Sequence, residues 1–158
     1  VAALPQIGSV TKNIKFPVQR IENKAFAERG ILGVIQWDVV HVRDQEIINI
    51  FFESSSSGWR QGIWLCTDKG LIVNCQLCPS VELWIDSAPG KIPIECRTES
   101  GLLHVYNIWD SGDGPDSQAW TSGMKISDSK RGFSYGCNDV GFDPAFEKLK
   151  FRIERAGS

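Results

Sequence analysis

With 158 residues, 42% of them hydrophobic and 23% charged, the chain has an ordinary globular composition and a length that fits one domain, residues 1–158. Disorder and a long coiled coil are excluded, and no apolar run approaches the roughly 20 residues of a membrane-spanning helix. Seventeen Lys and Arg against 19 Asp and Glu leave a formal charge of −2 with no basic block. Binding nucleic acid or anionic lipid through the whole surface is therefore not expected.

In chain order, the opening Val1-Ala2-Ala3-Leu4-Pro5 resembles sequence that follows a small-residue cleavage site, which makes a secreted protein the expectation. There is no Asn-X-Ser/Thr acceptor, so N-glycosylation is not expected, and a microbial source fits. Ile21 to Glu28 is the one segment of helical character. Its Ala and Glu favour helix, and Gly30 stands where a C-terminal cap belongs. Val34 to Val42 and Ile47 to Phe52 are apolar on both faces and read as strands covered on both sides. Gly62 to Thr67 and Leu71 to Cys75 flank Asp68-Lys69-Gly70, which predicts a hairpin turning at those three residues. Val81, Leu83 and Ile85 alternate with Glu82, Trp84 and Asp86. Ile92 and Ile94 share a face, and Leu102 to Trp109 is a long strand. Leu149, Phe151 and Ile153 alternate with charged residues in the clearest period-two pattern of the chain. Turn signals recur about every ten residues, the rhythm of an all-β domain. The expected fold is an antiparallel β-sandwich or open barrel with at most one or two short helices.

Cys66, Cys75, Cys78, Cys96 and Cys137 are an odd set. In a secreted chain they predict one or two disulfides of undetermined pairing. Cys75-Gln76-Leu77-Cys78 has the spacing of half a zinc ribbon, but no second pair matches it.

The chemistry-bearing residues concentrate in the stretch from Asn107 to Trp120, a long loop rich in Asp and Gly. Asp110, Asp113 and Asp116 recur every third residue and supply hard oxygen ligands of the kind calcium takes, although the spacing is not that of an EF-hand. Turn chemistry explains the same residues without a metal. Trp109 and Trp120 border the loop. Trp84 stands on the polar side of its strand, beside Glu82 and Asp86. Exposed aromatic rings next to carboxylates and amides suit a sugar, whose apolar face stacks on the ring while its hydroxyls bond the polar groups. A second acidic stretch, Asn138 to Asp143, could meet the first at one end of the fold. Among enzymatic constellations, only His104, Glu95 and Arg97 lie on neighbouring predicted strands. No nucleophile-elbow, zinc-protease, phosphate-loop or dinucleotide motif is present.

These residues lead to the expectation of a secreted recognition module that binds a glycan or cell-surface ligand. Trp84, Trp109, Asp110, Asp113, Asp116 and Trp120 form the candidate site, and Asp110, Asp113 and Asp116 are the calcium ligands if a metal assists. The alternatives are a secreted cytotoxic effector and a small hydrolase of the ribonuclease kind.

Overall fold

A computed structural model describes residues 16–157. The opening Val1 to Pro5, read above as following a cleavage site, lies outside the described residues. In chain order the elements are β1 (Ile21–Glu22), α1 (Lys24–Glu28), β2 (Val34–His41), β3 (Ile47–Ser55), β4 (Arg60–Val73), β5 (Gln76–Trp84), β6 (Ile92–Cys96), β7 (Leu102–Asp110), β8 (Pro115–Ser117), β9 (Gly123–Ser129), β10 (Gly132–Asn138) and β11 (Leu149–Arg155). The protein is all-β, and α1 is the only helix among the described residues.

Eight strands close on themselves in the order β2-β9-β10-β11-β3-β6-β4-β7, with β7 returning to β2 through Asp38↔Val105 to His41↔Leu102. Every pairing is antiparallel. Of the sandwich and open barrel expected from the alternation, the structure has the barrel, and the β7–β2 pairing closes it. Half-buried strands have the same period two in either architecture, so only the β7–β2 pairing decides between them. β1, β8 and β5 are added outside the ring, on β2, β7 and β4.

β4 makes closure possible. Its first half, Arg60 to Cys66, pairs with β7, whereas Leu71 and Ile72 pair with β6. The switch happens at an irregularity over residues 67–70. There the Gly70 N–H donates to Thr67 Oγ1 at 2.9 Å. Asp68 accepts from Thr98 Oγ1 at 2.7 Å and from the N–H groups of Glu99 and Ser100. Burial alone would raise the Asp68 carboxyl, but these bonds, led by that from Thr98, hold it below its usual range. The predicted hairpin turn at Asp68-Lys69-Gly70 is therefore a bulge within one long strand. The chain turns instead at Asn74 and Cys75, whose φ of 52° and 64° are those of a two-residue hairpin turn, and Val73 pairs with Gln76.

Inward alternation fills the barrel with Val40, Ile48, Ile50, Ile63, Leu65, Leu103, Val105, Leu149, Phe151 and Ile153. Tyr135 stacks on Phe151 with ring centroids 4.4 Å apart. Its hydroxyl donates to the fully buried Asp38 at 2.7 Å, and Arg20 pairs with the other carboxylate oxygen at 3.0 Å. The predicted helix is shorter than Ile21 to Glu28, because Ile21 and Glu22 pair with β2 instead. Gly30, at φ 80°, ends the helix as expected. Its N–H bonds Ala27 O and that of Ile31 bonds Phe26 O, the two bonds of a Schellman cap.

A second apolar layer lies outside the barrel, over β2, β4, β5 and β7. It contains Trp64, Cys66, Trp84 and Ile108, with Phe16, Trp37 and Tyr106 packed against them. Trp64 and Tyr106 stack at 4.5 Å. Trp84 lies against Gly62, where a Cβ would sit 2.9 Å from the ring. His104 belongs to this layer. The Trp37 indole N–H donates to its Nδ1 at 3.0 Å, and the Phe16 ring lies 5.0 Å away. An accepting Nδ1 leaves the proton on Nε2 of a neutral ring. Burial holds the His104 pKa below its usual value, against a smaller opposing effect of Asp68.

The disulfide expectation is corrected as well, since all five thiols are free. Cys78 and Cys96 pair with Leu71 from opposite sides, which sets them two strand spacings apart, roughly 9.5 Å and beyond the reach of a bridge. Cys66 stands in the outer layer and Cys137 inside the barrel. Burial pushes Cys66 and Cys96 up to about 12 and Cys137 well above the usual thiol range.

Two measurements check this packing. Iodoacetamide at pH 8 is expected to label the exposed Cys75 first and the half-buried Cys78 more slowly. Cys66, Cys96 and Cys137 should react only on unfolding, and all five without a reductant. Fewer than five labels in denaturant would reveal a bridge. The second concerns pH. A depressed histidine pKa means that protons favour the unfolded chain, so the contribution of His104 is full above about pH 6.5 and declines as pH falls toward the folded value. The stability difference between wild type and His104→Gln, from urea midpoints, should therefore shrink between pH 7 and pH 5. A constant difference would contradict the assignment.

Candidate functional site

At the end of the barrel where β2 and β9 begin and β7 and β10 finish, the chain buries Asn23, Asn107, Thr121, Ser122, Asn138 and Asp139. Polar side chains without water need partners, and here Asn23, Asn107, Thr121 and Asn138 find theirs on the backbone, while Asp139 accepts from Ser57 and Gln61. Asn23 Oδ1 accepts the Phe26 N–H and caps α1, while Nδ2 donates to Trp120 O at 2.9 Å and Ser122 O at 2.7 Å. One amide thus ties the helix to the turn before β9. Asn138 Nδ2 donates to Thr121 O at 3.0 Å, and the Gly141 N–H donates to Thr121 Oγ1 at 2.8 Å. Asn107 Nδ2 holds Asn138 O at 3.0 Å.

The outcome is a fixed backbone carrying an exposed ring. Trp120 is 67% exposed, although its carbonyl is held by the fully buried Asn23. Its edge rests on Phe142 at 5.2 Å. Phe142 in turn packs on Phe26, with the Arg29 guanidinium 3.5 Å above its face. A groove of about 350 Å³ runs beside the ring, lined by Glu22, Asn23, Lys24, Glu28, Gln36 and Trp120. Gln36 is held at both ends of its residue. Its Nε2 donates to Ala119 O, and its carbonyl accepts from Gln118 Nε2. The groove therefore combines one flat aromatic face with carboxylates, an ammonium and amides, a set that can stack on and hydrogen-bond a polyhydroxyl ligand.

The structure separates the residues singled out from sequence. Trp109 is buried at 2% exposure, on the side of β7 that carries Leu103 and Val105. Trp84 is buried in the outer layer under the Arg60 guanidinium, which pairs with Asp86 at 2.8 Å. Neither ring offers a face to a ligand. The long loop is a tight hairpin, with Ile108, Trp109 and Asp110 paired to Ser117, Asp116 and Pro115. Asp110 Oδ1 accepts the N–H groups of Gly112 and Gly114, and Asp116 accepts that of Ser117, so both carboxylates act in the turn. Asp113 is exposed at the tip. No three His, Cys, Asp or Glu side chains converge as a metal site among the described residues. The stretch from Asn138 meets Thr121, not the aspartates of the hairpin. His104 faces Cys66 and Glu95 faces Ile72, on opposite sides of the β4 bulge, while Glu95 pairs with Arg97 at 2.6 Å. The hydrolase triple is not assembled.

Of the sequence candidates only Trp120 lines the groove. Glu22, Asn23, Glu28, Gln36 and Phe142 were missed. Asn23 before Lys24-Ala25-Phe26-Ala27 is a helix-start signal that would have moved the helix start three residues on, from Ile21 to Lys24. Nothing local connects it to Trp120. Comparison with protein-family models, with curated proteins and with solved structures finds no match to this chain.

Stability measurements distinguish the rings and the clamp. By urea unfolding, Trp109→Ala should lose about 3–5 kcal/mol, and Trp120→Ala no more than about 0.5 kcal/mol, as an exposed site does. Asn23→Ala should lose about 2–3 kcal/mol through the cap and the two carbonyl bonds. A Trp120→Ala loss as large as that of Trp109→Ala would make Trp120 a structural ring.

Proposed function

We propose that this protein is a secreted carbohydrate-recognition module and that Trp120 is its stacking platform. The observation that carries the reading is a large aromatic ring left two-thirds in water on a backbone held by a buried amide. An aromatic side chain of this size covers apolar surface wherever the fold allows. Here the other five tryptophans are less exposed, while Trp120 stands over a groove that Ile21 and Ala25 line together with Glu22, Glu28 and Gln36. Holding the backbone in advance lowers the ordering cost of binding. Glu22, Glu28 and Gln36 provide acceptors and donors for sugar hydroxyls, and the ring provides the face for the C–H side of a pyranose. The reading needs no calcium, because Asp110 and Asp116 act in their own turn. Location outside the cell belongs to the same proposal, since surface and wall glycans are displayed there. No observation favours the effector alternative, and the separation of His104 from Glu95 and Arg97 withdraws the triple on which the hydrolase alternative rested.

The test is a glycan array probed with wild type, with and without chelator, and with Trp120→Ala. Wild type should bind a defined set of glycans whether or not chelator is present. The variant should keep its melting temperature and lose affinity at least tenfold, equivalent to about 1.4 kcal/mol. No glycan bound by wild type, or equal binding by the variant, would refute the proposal.

A further inference from the structure

The same end of the barrel carries a second depression, of about 250 Å³, lined by Ser57, Trp59, Asp139, Val140 and Lys148. Its floor is a buried carboxylate. Asp139 is 2% exposed, yet its partners are all neutral donors: Ser57 Oγ and Gln61 Nε2 at 2.9 Å and its neighbour's N–H at 2.6 Å. Behind it Gln61 is fully buried, with Oε1 lacking any hydrogen-bond partner. Ser57 connects floor to rim, because its Oγ also accepts the Trp59 N–H at 3.1 Å. The Trp59 ring is 40% exposed. Lys148 lines the rim and makes only a long ion pair with Asp143, at 4.0 Å, so its three-donor ammonium keeps N–H groups for a ligand.

The charges select the ligand class. A free anion would meet the Asp139 carboxylate in a nearly dry setting, and an organic cation would meet Lys148. A neutral ligand that both donates and accepts, with an apolar face for the indole, satisfies both, and a sugar is such a ligand. The place of the depression adds a second constraint. Val140 lines it, and two residues on is Phe142, the ring under Trp120. Two residues of chain span at most about 7 Å, so one short stretch of backbone joins the depression that Trp59 borders to the ring on which Trp120 rests.

We propose that the Trp59–Asp139–Lys148 depression is a second subsite for the saccharide held at Trp120, and that the ligand is a linear oligosaccharide lying across Val140 to Phe142. This rests on the carbohydrate reading of the Trp120 groove. Asp139 accepts a hydroxyl on the floor, Lys148 donates to a ring or hydroxyl oxygen, and Trp59 stacks on the sugar at the rim.

The experiment titrates glucose, xylose, mannose and N-acetylglucosamine oligomers, each from monomer to hexamer, against wild type, Trp59→Ala, Lys148→Met and Trp120→Ala by calorimetry, with thermal melts on every variant. For the series that binds, wild-type affinity should rise with chain length. Trp59→Ala and Lys148→Met should lose at least tenfold on the hexamer and little on the monomer and dimer. Trp120→Ala should lose binding at every length. If wild type binds and both Trp59→Ala and Lys148→Met match it at all lengths, the second subsite is overturned while the Trp120 reading stands. If no oligomer binds wild type, both fall together.

Discussion

The partner switch along β4 is the constraint on which the rest of this structure depends. Seven residues of the strand bond to β7 before the bulge, and two bond to β6 after it. Without the offset at residues 67–70 the sheet would run past itself, leaving β6 and β7 as open edges. The bulge gives the strand the bend and extra twist that closure needs. It is held by side-chain bonds, not by apolar packing. Thr67 folds back on Gly70, while Asp68 collects Thr98, Glu99 and Ser100 from the loop before β7. The bulge and the start of β7 are therefore fastened to each other by the same carboxylate.

Closure divides the apolar side chains between two layers. The interior is aliphatic, with Tyr135 and Phe151 stacked within it. The outer layer over β2, β4, β5 and β7 is aromatic, and Trp64, Tyr106, Trp37 and Trp84 cover strand faces that would otherwise meet water. Residues in β2 that read as apolar on both sides are so because one side faces the barrel and the other this layer. Tryptophan consequently has three fates here. Trp109 is buried at the end of β7, Trp64 and Trp84 cover the outside, and Trp120 remains in water.

Buried amides organise the end where Trp120 stands. Asn23 and Asn138 each donate to two loop carbonyls, so the turn before β9 is held from the helix on one side and from β10 on the other. Such groups are costly to bury unless paired, and pairing them with loop backbone converts that cost into fixed loop geometry. The rigid backbone and the exposed ring are two consequences of one arrangement. That arrangement makes this end, and not the hairpin after β7, the candidate site.

Period two in β5, β6 and β11, apolar runs in β2, β3 and β7, and turns between them determined from the sequence alone that the chain is all-β and which residues of β6 and β11 face its core. Gly30 likewise marked the end of the helix, because a cap at positive φ is a local property of the chain. Three features were decided only by tertiary structure. Closure depends on β7 finding β2, a pairing between residues more than sixty positions apart that leaves no mark on the alternation of either strand. The turn at Asn74-Cys75 was hidden because Asp68-Lys69-Gly70 has the stronger turn composition, and side chains from another loop made that segment a bulge. The site was legible in Trp120 and nowhere else. Whether a tryptophan is core or platform depends on what packs over it, and Asn23, Gln36 and Phe142 reach it from three other parts of the chain. Local sequence fixes a residue's face on its strand; the partners that cover or uncover that face come from elsewhere in the chain.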